Sequence, residues 1–303
     1  MTAAQGTQPA PPPRIRPAAV TDLDRIWDIR FANDFAGQTG LSEQGPTPAY
    51  LAHLQAHGFL LVAERDDRLA GYAGLIDRGG VAYLTDLFVD PAYQSTTVGR
   101  RLLEWILPTE PATCCTLAST DHRALALYTR AGMAPRWPIL LLEVPVSRLR
   151  EISSARVEML PADLDDPELH RRDHAASGRW RPLDLAFMVR GERGQVFWFT
   201  RGGDIAGYGI IRFAATRPWR PGTVTIGPIG SATAEDARAS VLAAVEWTRS
   251  RAAVIEMAVP GPHPALKTLL AAGFRIASVE TYCASVPDLI DPSRYLGSGG
   301  DLF

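Results

Sequence analysis

The stretch 87–101, LFVDPAYQSTTVGRR, holds the residue types best placed to do chemistry in this sequence. An apolar run ends at Val89 and Asp90-Pro91 turns the chain. Gln94, Ser95, Thr96, Thr97, Val98 and Gly99 then lead into a helical pattern that puts Leu102, Leu103 and Ile106 on one side. The first N–H groups of a helix have no internal partner and, with the macrodipole, make a positive concavity that suits phosphate. Gly99 lets backbone approach an anion closely, and Arg100 or Arg101 could add a charge-assisted contact. Read alone, the stretch is either a phosphate cradle or an ordinary strand-to-helix turn with solvated arginines.

Other titratable residues are less telling. Asp86 precedes the turn, and strand alternation places it and Thr85 on opposite faces, so only one of them sees a cleft. Asp86 could serve as a base directly or through water, or be a surface carboxylate paired with an arginine. His122 opens a helix, where a capping or solvent-facing role is the simpler one. His53, His57, His170, His174 and His263 show no metal spacing with Cys or carboxylates, and HRRDH (170–174) lacks the Glu of HExxH. Cys114 and Cys115 belong to a buried strand and need not be reactive. No metal is expected.

Composition narrows the classes. With 31 Lys+Arg against 33 Asp+Glu and net charge −2, bulk charge does not hold this chain to nucleic acid or to a membrane surface. Three Cys make no disulfide framework, and no apolar run reaches the roughly 20 residues of a membrane helix. Residues 1–13 are small, polar and Pro-rich, without a signal peptide's apolar core, and read as a disordered tail on a cytoplasmic protein.

The elements that must position these residues follow from periodicity and breakers. Residues 14–17 read as a strand, 22–31 as a helix capped by Thr21, 31–46 as a polar loop, and 47–57 as a second helix. Strands follow over 58–64, 69–77 and 81–89, then a helix over 98–106, a strand over 114–118, a helix closed by Gly132, and a strand over 139–146. From about 155 the order repeats, ending in a strand over 276–285. LAGYAG (69–74) matches IAGYGI (205–210), and Gly132-Met133 matches Gly273-Phe274. The chain therefore reads as an α+β protein built by duplication. Its parts are a tail (1–13), a first domain (14–148), a second domain (149–290) and a Gly-rich C-terminal tail (291–303).

Leu87, Val89, Pro91, Gln94, Thr97, Gly99 and Leu102 fall on L-x-V-x-P-x-x-[QR]-x-x-G-x-[GA]-x-x-L, with Thr97 in place of the first glycine. Ala124, Leu127, Tyr128, Gly132 and Met133 fall on A-x-x-L-Y-x-x-x-G-F, with Met for Phe. On these residues the sequence resembles the GNAT superfamily of acyl-CoA-dependent N-acetyltransferases. The resemblance implies two tandem domains, each a twisted, mostly antiparallel sheet splayed at the centre and flanked by helices. It implies acetyl-CoA in the first splay, with pantetheine along Leu87, Phe88 and Val89 and pyrophosphate on residues 94–100, and an affinity weakened by Thr97. A backbone N–H near Val89 would serve the oxyanion. Tyr128 stands where the family places the general acid, with a packed helix tyrosine as the plainer reading, and Asp86 stands near its usual carboxylate. The amine acceptor would meet Phe31, Asp34, Phe35 and Glu43, and the loop at 78–80. In the second half no such phosphate turn survives, Glu235 and Asp236 occupy the helix start, and Leu269 takes the place of Tyr128; no CoA is expected there. The implied activity is N-acetyl transfer to a primary amine of a small molecule or peptide by direct attack. A regulatory acyl-CoA-binding module without efficient catalysis, or a pure interaction protein, are the alternatives. The chain would act as a monomer or homodimer, without nucleic acid or membrane.

Overall fold

The computed structural model of the chain describes residues 12–34, 44–109, 112–152, 157–213, 222–300 and 302–303. The first half runs β1 (Arg14–Pro17), α1 (Leu23–Asp34), α2 (Ala49–His57), β2 (Phe59–Arg65), β3 (Arg68–Asp77), β4 (Val81–Val89), α3 (Val98–Ile106), β5 (Thr113–Ala118), α4 (His122–Arg130) and β6 (Ala134–Pro145). The second runs β7 (Glu158–Pro161), α5 (Pro167–Ser177), α6 (Pro182–Arg190), β8 (Gly194–Arg201), β9 (Asp204–Arg212), β10 (Thr223–Ser231), α7 (Ala234–Thr248), β11 (Val254–Pro260), α8 (Leu266–Ala271) and β12 (Arg275–Ala284), followed by the short β13 (Tyr295–Leu296). Strand for strand and helix for helix, the halves repeat.

Local chemistry explains the elements. In α3, Val98, Leu102, Leu103 and Ile106 are buried while Arg100, Arg101 and Glu104 face outward, the stripe of an amphipathic helix. The β2–β3 hairpin turns through Asp66 and Asp67, both at positive φ, and the β8–β9 hairpin turns at the matching place through Gly202 and Gly203. Two-residue hairpin loops require that backbone.

The strands form one sheet in the order β1-β2-β3-β4-β5-β12-β6-β11-β10-β9-β8-β7, with β13 on β10. The two centre strands are exchanged. β5 pairs with β12 of the second half, β11 pairs with β6 of the first, and β6 and β12 pair with each other. Helices α1, α2, α5 and α6 share one apolar cluster on one face. Helices α3 and α4 cover the other face in the first half, and α7 and α8 do so in the second.

Several expectations change. The segment 31–46 is not wholly loop: α1 extends to Asp34, so Phe31 and Asp34 are helical, while Phe35 and Glu43 lie outside the described residues. Helix α6, with a Pro at its first turn, was not anticipated in its Arg- and Pro-flanked sequence. The tail after 291 is not peripheral, since Tyr295, Leu296, Leu302 and Phe303 are all buried. The Gly-rich sequence left open whether this segment packs back, and its four large apolar side chains set its place.

Candidate active site

The first half holds a split. β4 and β5 run parallel and pair only from Val81 with Thr113 to Leu84 with Thr116. Beyond that, β4 continues to Val89 on β3 and β5 continues to Ala118 on β12, so among the described residues no strand lies beside the 85–89 edge of β4. A bulge marks the parting: Leu75 and Gly74, consecutive in β3, face Leu84 and Asp86, so Thr85 is the extra residue. Bulges bend a strand and re-aim its side chains. Here the bulge turns Asp86 and Phe88 toward α1 and α2, and Leu87 and Val89 toward α3 and α4.

The N-terminus of α3 opens onto this split. Thr97 caps it with no side-chain hydrogen bond, and the first turn holds no acid. Thr97 is exposed and sits at φ −82°, ψ −5°, which any L-residue adopts without strain. The glycine usual at this position in the resembling motif is therefore not needed for backbone geometry. The positive φ in the turn falls on Ser95 instead, at 61°. Gly99 lies against the strand end: a Cβ there would meet Val89 Cγ2 at 3.3 Å. Arg100 and Arg101 are paired loosely with Glu104, at 3.7 and 3.2 Å. Gln94 donates its amide to Asn33 Oδ1 (2.9 Å), and Asn33 donates to the Val89 carbonyl (3.1 Å), tying the turn to α1. Arg123, at the start of α4, reaches across to Ser95 Oγ (3.0 Å) and Gln94 Oε1 (3.3 Å). Neither Asn33 nor Arg123 was singled out by sequence, because isolated polar residues on helices carry no pattern until the chain folds.

Tyr128 on α4 is buried in the same cluster as Leu87, Val89, Val98 and Leu102, on the α3 side of the split. Burial pushes its phenol above the usual value, and the nearby Cys283 thiol and Asp86 carboxylate push it the same way. Cys283 comes from β12, so the second half contributes to this wall.

Asp86 is 2% exposed, so it is not a surface residue. One carboxylate oxygen accepts from Tyr50 (3.0 Å), Tyr72 (3.1 Å) and the Arg30 guanidinium (3.3 Å). Arg30 also donates to Tyr50, bonds Asp34 at 3.1 Å, and lies over the rings of Tyr50 (4.9 Å) and Phe88 (5.7 Å). Burial, with Asp86 next, raises the Tyr72 phenol. The structure thus brings together Asp86, Phe88, Arg30 and Asp34; Phe31 packs beside them against Trp27, ring to ring at 5.8 Å. Tyr50 and Tyr72 were missed. Tyr72 lies in the repeated GY dipeptide, which was read only as evidence of duplication.

The second half differs where chemistry would occur. Thr233 caps α7 with its side chain, and Glu235 and Asp236 in the first turn hold Arg201. Its N–H groups are capped and fronted by acids, which disfavours an anion. Leu269, at the place of Tyr128, is fully buried. Among the described residues, no group of three or more His, Cys, Asp or Glu could hold a metal ion, and no helix is long and apolar enough to cross a membrane.

Known proteins share this fold. Residues 24–133 match the family model described as Acetyltransferase (GNAT) family. Comparison with curated protein sequences returns no match. Among solved structures, a Pyrococcus horikoshii protein described as an acetyltransferase is 17% identical over all of both chains, with TM-score 0.69. A tandem GNAT protein from the clavulanic acid biosynthesis pathway is 15% identical at TM-score 0.58, over 91% of this chain and 99% of that one. A GCN5-related N-acetyltransferase from Sphaerobacter thermophilus is 14% identical at TM-score 0.57, over 92% and 98%. Residues 24–133, which hold the split, the start of α3 and Tyr128, match the GNAT acetyltransferase family model, and the whole chain has the tandem GNAT fold.

Proposed function

We propose that this chain moves an acetyl group from acetyl-CoA to a primary amine, using the first half only. The observation that carries this reading is the parting of β4 and β5 with an unoccluded helix start at its mouth and Tyr128 in its wall. The bare β4 edge over residues 85–89 suits an extended pantetheine, which pairs with backbone as an added strand does. N–H groups at the start of α3, with Ser95 and Gln94 in the turn before it, suit the pyrophosphate, and Arg123 is within reach of the same place.

The chemistry then needs a neutral amine, a stabilised carbonyl oxygen and an escorted thiolate. Tyr128 supplies the last. A phenol whose pKa is raised by burial stays neutral and donates a hydrogen bond to sulfur as it gains charge. Asp86 fits a positioning role better than that of a base. Three donors already occupy one of its oxygens, and the residue is 2% exposed, so the carboxylate is engaged within the wall. It holds Arg30 and Tyr50 in the wall where Phe31, Asp34 and Phe88 would receive the acceptor. The same three donors favour the second reading, an acyl-CoA-binding module that turns over poorly for want of a base.

Calorimetry and a thiol-release assay with an amine panel test both. The wild type binds acetyl-CoA, and Gly99→Glu, which sets a carboxylate against the α3 N-terminus, abolishes binding while circular dichroism stays unchanged. Unaltered affinity in that variant would falsify the site assignment. Binding without thiol release for any amine selects the regulatory module.

A further inference from the structure

The second half parts its strands as the first does, yet its gap is filled. β10 and β11 pair from Thr223 with Val254 to Thr225 with Glu256, and then separate. Between the separated ends lies β13. Tyr295 and Leu296 pair antiparallel with Gly230 and Ile229 of β10, and Gly297 bridges to Ala258 of β11. The chain thus occupies both flanks of the gap, at the place corresponding to the bare edge of β4.

The fit is close. A Cβ at Gly227 would lie 2.3 Å from the Gly297 carbonyl oxygen, and a Cβ at Gly297 would lie 2.3 Å from the Phe303 ring. Tyr295, Leu296 and Phe303 are each exposed by 1% or less. The buried Arg212 guanidinium donates to the Ser298 carbonyl. A cavity of about 260 Å³ lies beside β13 on the α5 side, lined in part by Ser231, Arg294 and Tyr295.

We propose that residues 295–298 are a resident occupant of the second cleft, a strand of the chain itself standing where an acyl-carrying arm would lie. The proposal rests on the reading that the first cleft takes acetyl-CoA, and it limits the chain to one. The occupant also reaches the first half. The Tyr83 hydroxyl donates to the Gly300 carbonyl (2.5 Å), and the Phe303 ring lies 6.2 Å from that of Tyr83, two residues before the β4 bulge. The segment that closes one cleft therefore braces the strand that frames the other.

Hydrogen exchange read by mass spectrometry on the full chain, with and without saturating acetyl-CoA, tests this alongside native mass measurement. Peptides covering 295–298 are expected to exchange at least 100-fold more slowly than exposed backbone in both conditions, with one CoA per chain. Gly227→Val, which forces Gly297 outward, is expected to speed their exchange at least tenfold while β2 and β3 stay protected. Fast exchange in the wild type, loss of protection on adding acetyl-CoA, or two CoA per chain would overturn the proposal. Slow exchange at 295–298 with no CoA bound supports the occupant and refutes the first-cleft reading instead.

Discussion

Tyr128 and Asp86 separate two ways in which a residue can matter to transfer. Under the proposed function Tyr128 donates to the departing sulfur. Tyr128→Phe should therefore lower kcat at least tenfold with little change in the acetyl-CoA KM, measured by steady-state thiol release. Equal turnover would remove it from the mechanism. Asp86→Asn should act on the acceptor side: the amine KM rises at least fivefold while the acetyl-CoA KM holds. It should also destabilise the fold by about 2 kcal/mol in urea unfolding, less than a fully buried pair because Arg30 keeps some contact with water. Tyr128 was legible in sequence because it sits in a spaced motif. The company of Asp86 was not, since Arg30, Tyr50 and Tyr72 come from three separate elements and meet only after the β4 bulge turns the carboxylate toward them.

Among the helices, α6 ties the halves together through its side chains. Its buried Asp184 takes two bonds from the Arg78 guanidinium (2.9 and 2.8 Å) and lies 2.8 Å from His53 Nε2, whose ring stacks on Phe187. Burial alone would raise this carboxyl, but the bonds to His53 and Arg78 outweigh it and bring it down to about 2. A depressed carboxyl stabilises the fold above its unfolded pKa, near 4, and that contribution fades as pH falls toward 2. It is worth roughly 2 kcal/mol at neutral pH. Urea titrations at pH 7, 4, 3 and 2 should show the gap between wild type and Asp184→Asn narrowing through that window; a constant gap would contradict the assignment. Periodicity located most strands and helices to within a few residues, because alternation and turn residues are local signals. It could not reveal α6, which was left unassigned, or β13, two residues long and held by distant partners.

For the whole molecule, the exchanged centre strands govern behaviour. β5 has no strand on its far side without β12, and Tyr128 loses Cys283 from its wall. Residues 14–148 expressed alone should be unfolded or aggregated, from an exposed sheet edge. Supplying residues 149–303 in the same cell should restore a soluble pair, seen by size-exclusion chromatography. A soluble, acetyl-CoA-binding monomer of 14–148 would show that the exchange is dispensable. The order of strands was readable from the internal repeat, whereas which half each centre strand serves was not, because both partners present equally apolar faces.

A duplicated gene whose second copy has lost its ligand is ordinarily free to drift and be deleted. Crossing the last strand of each copy into the other removes that freedom. On the proposed function, any deletion of the second half takes with it a strand that completes the first, so selection for transfer in one half would preserve the sequence of the other.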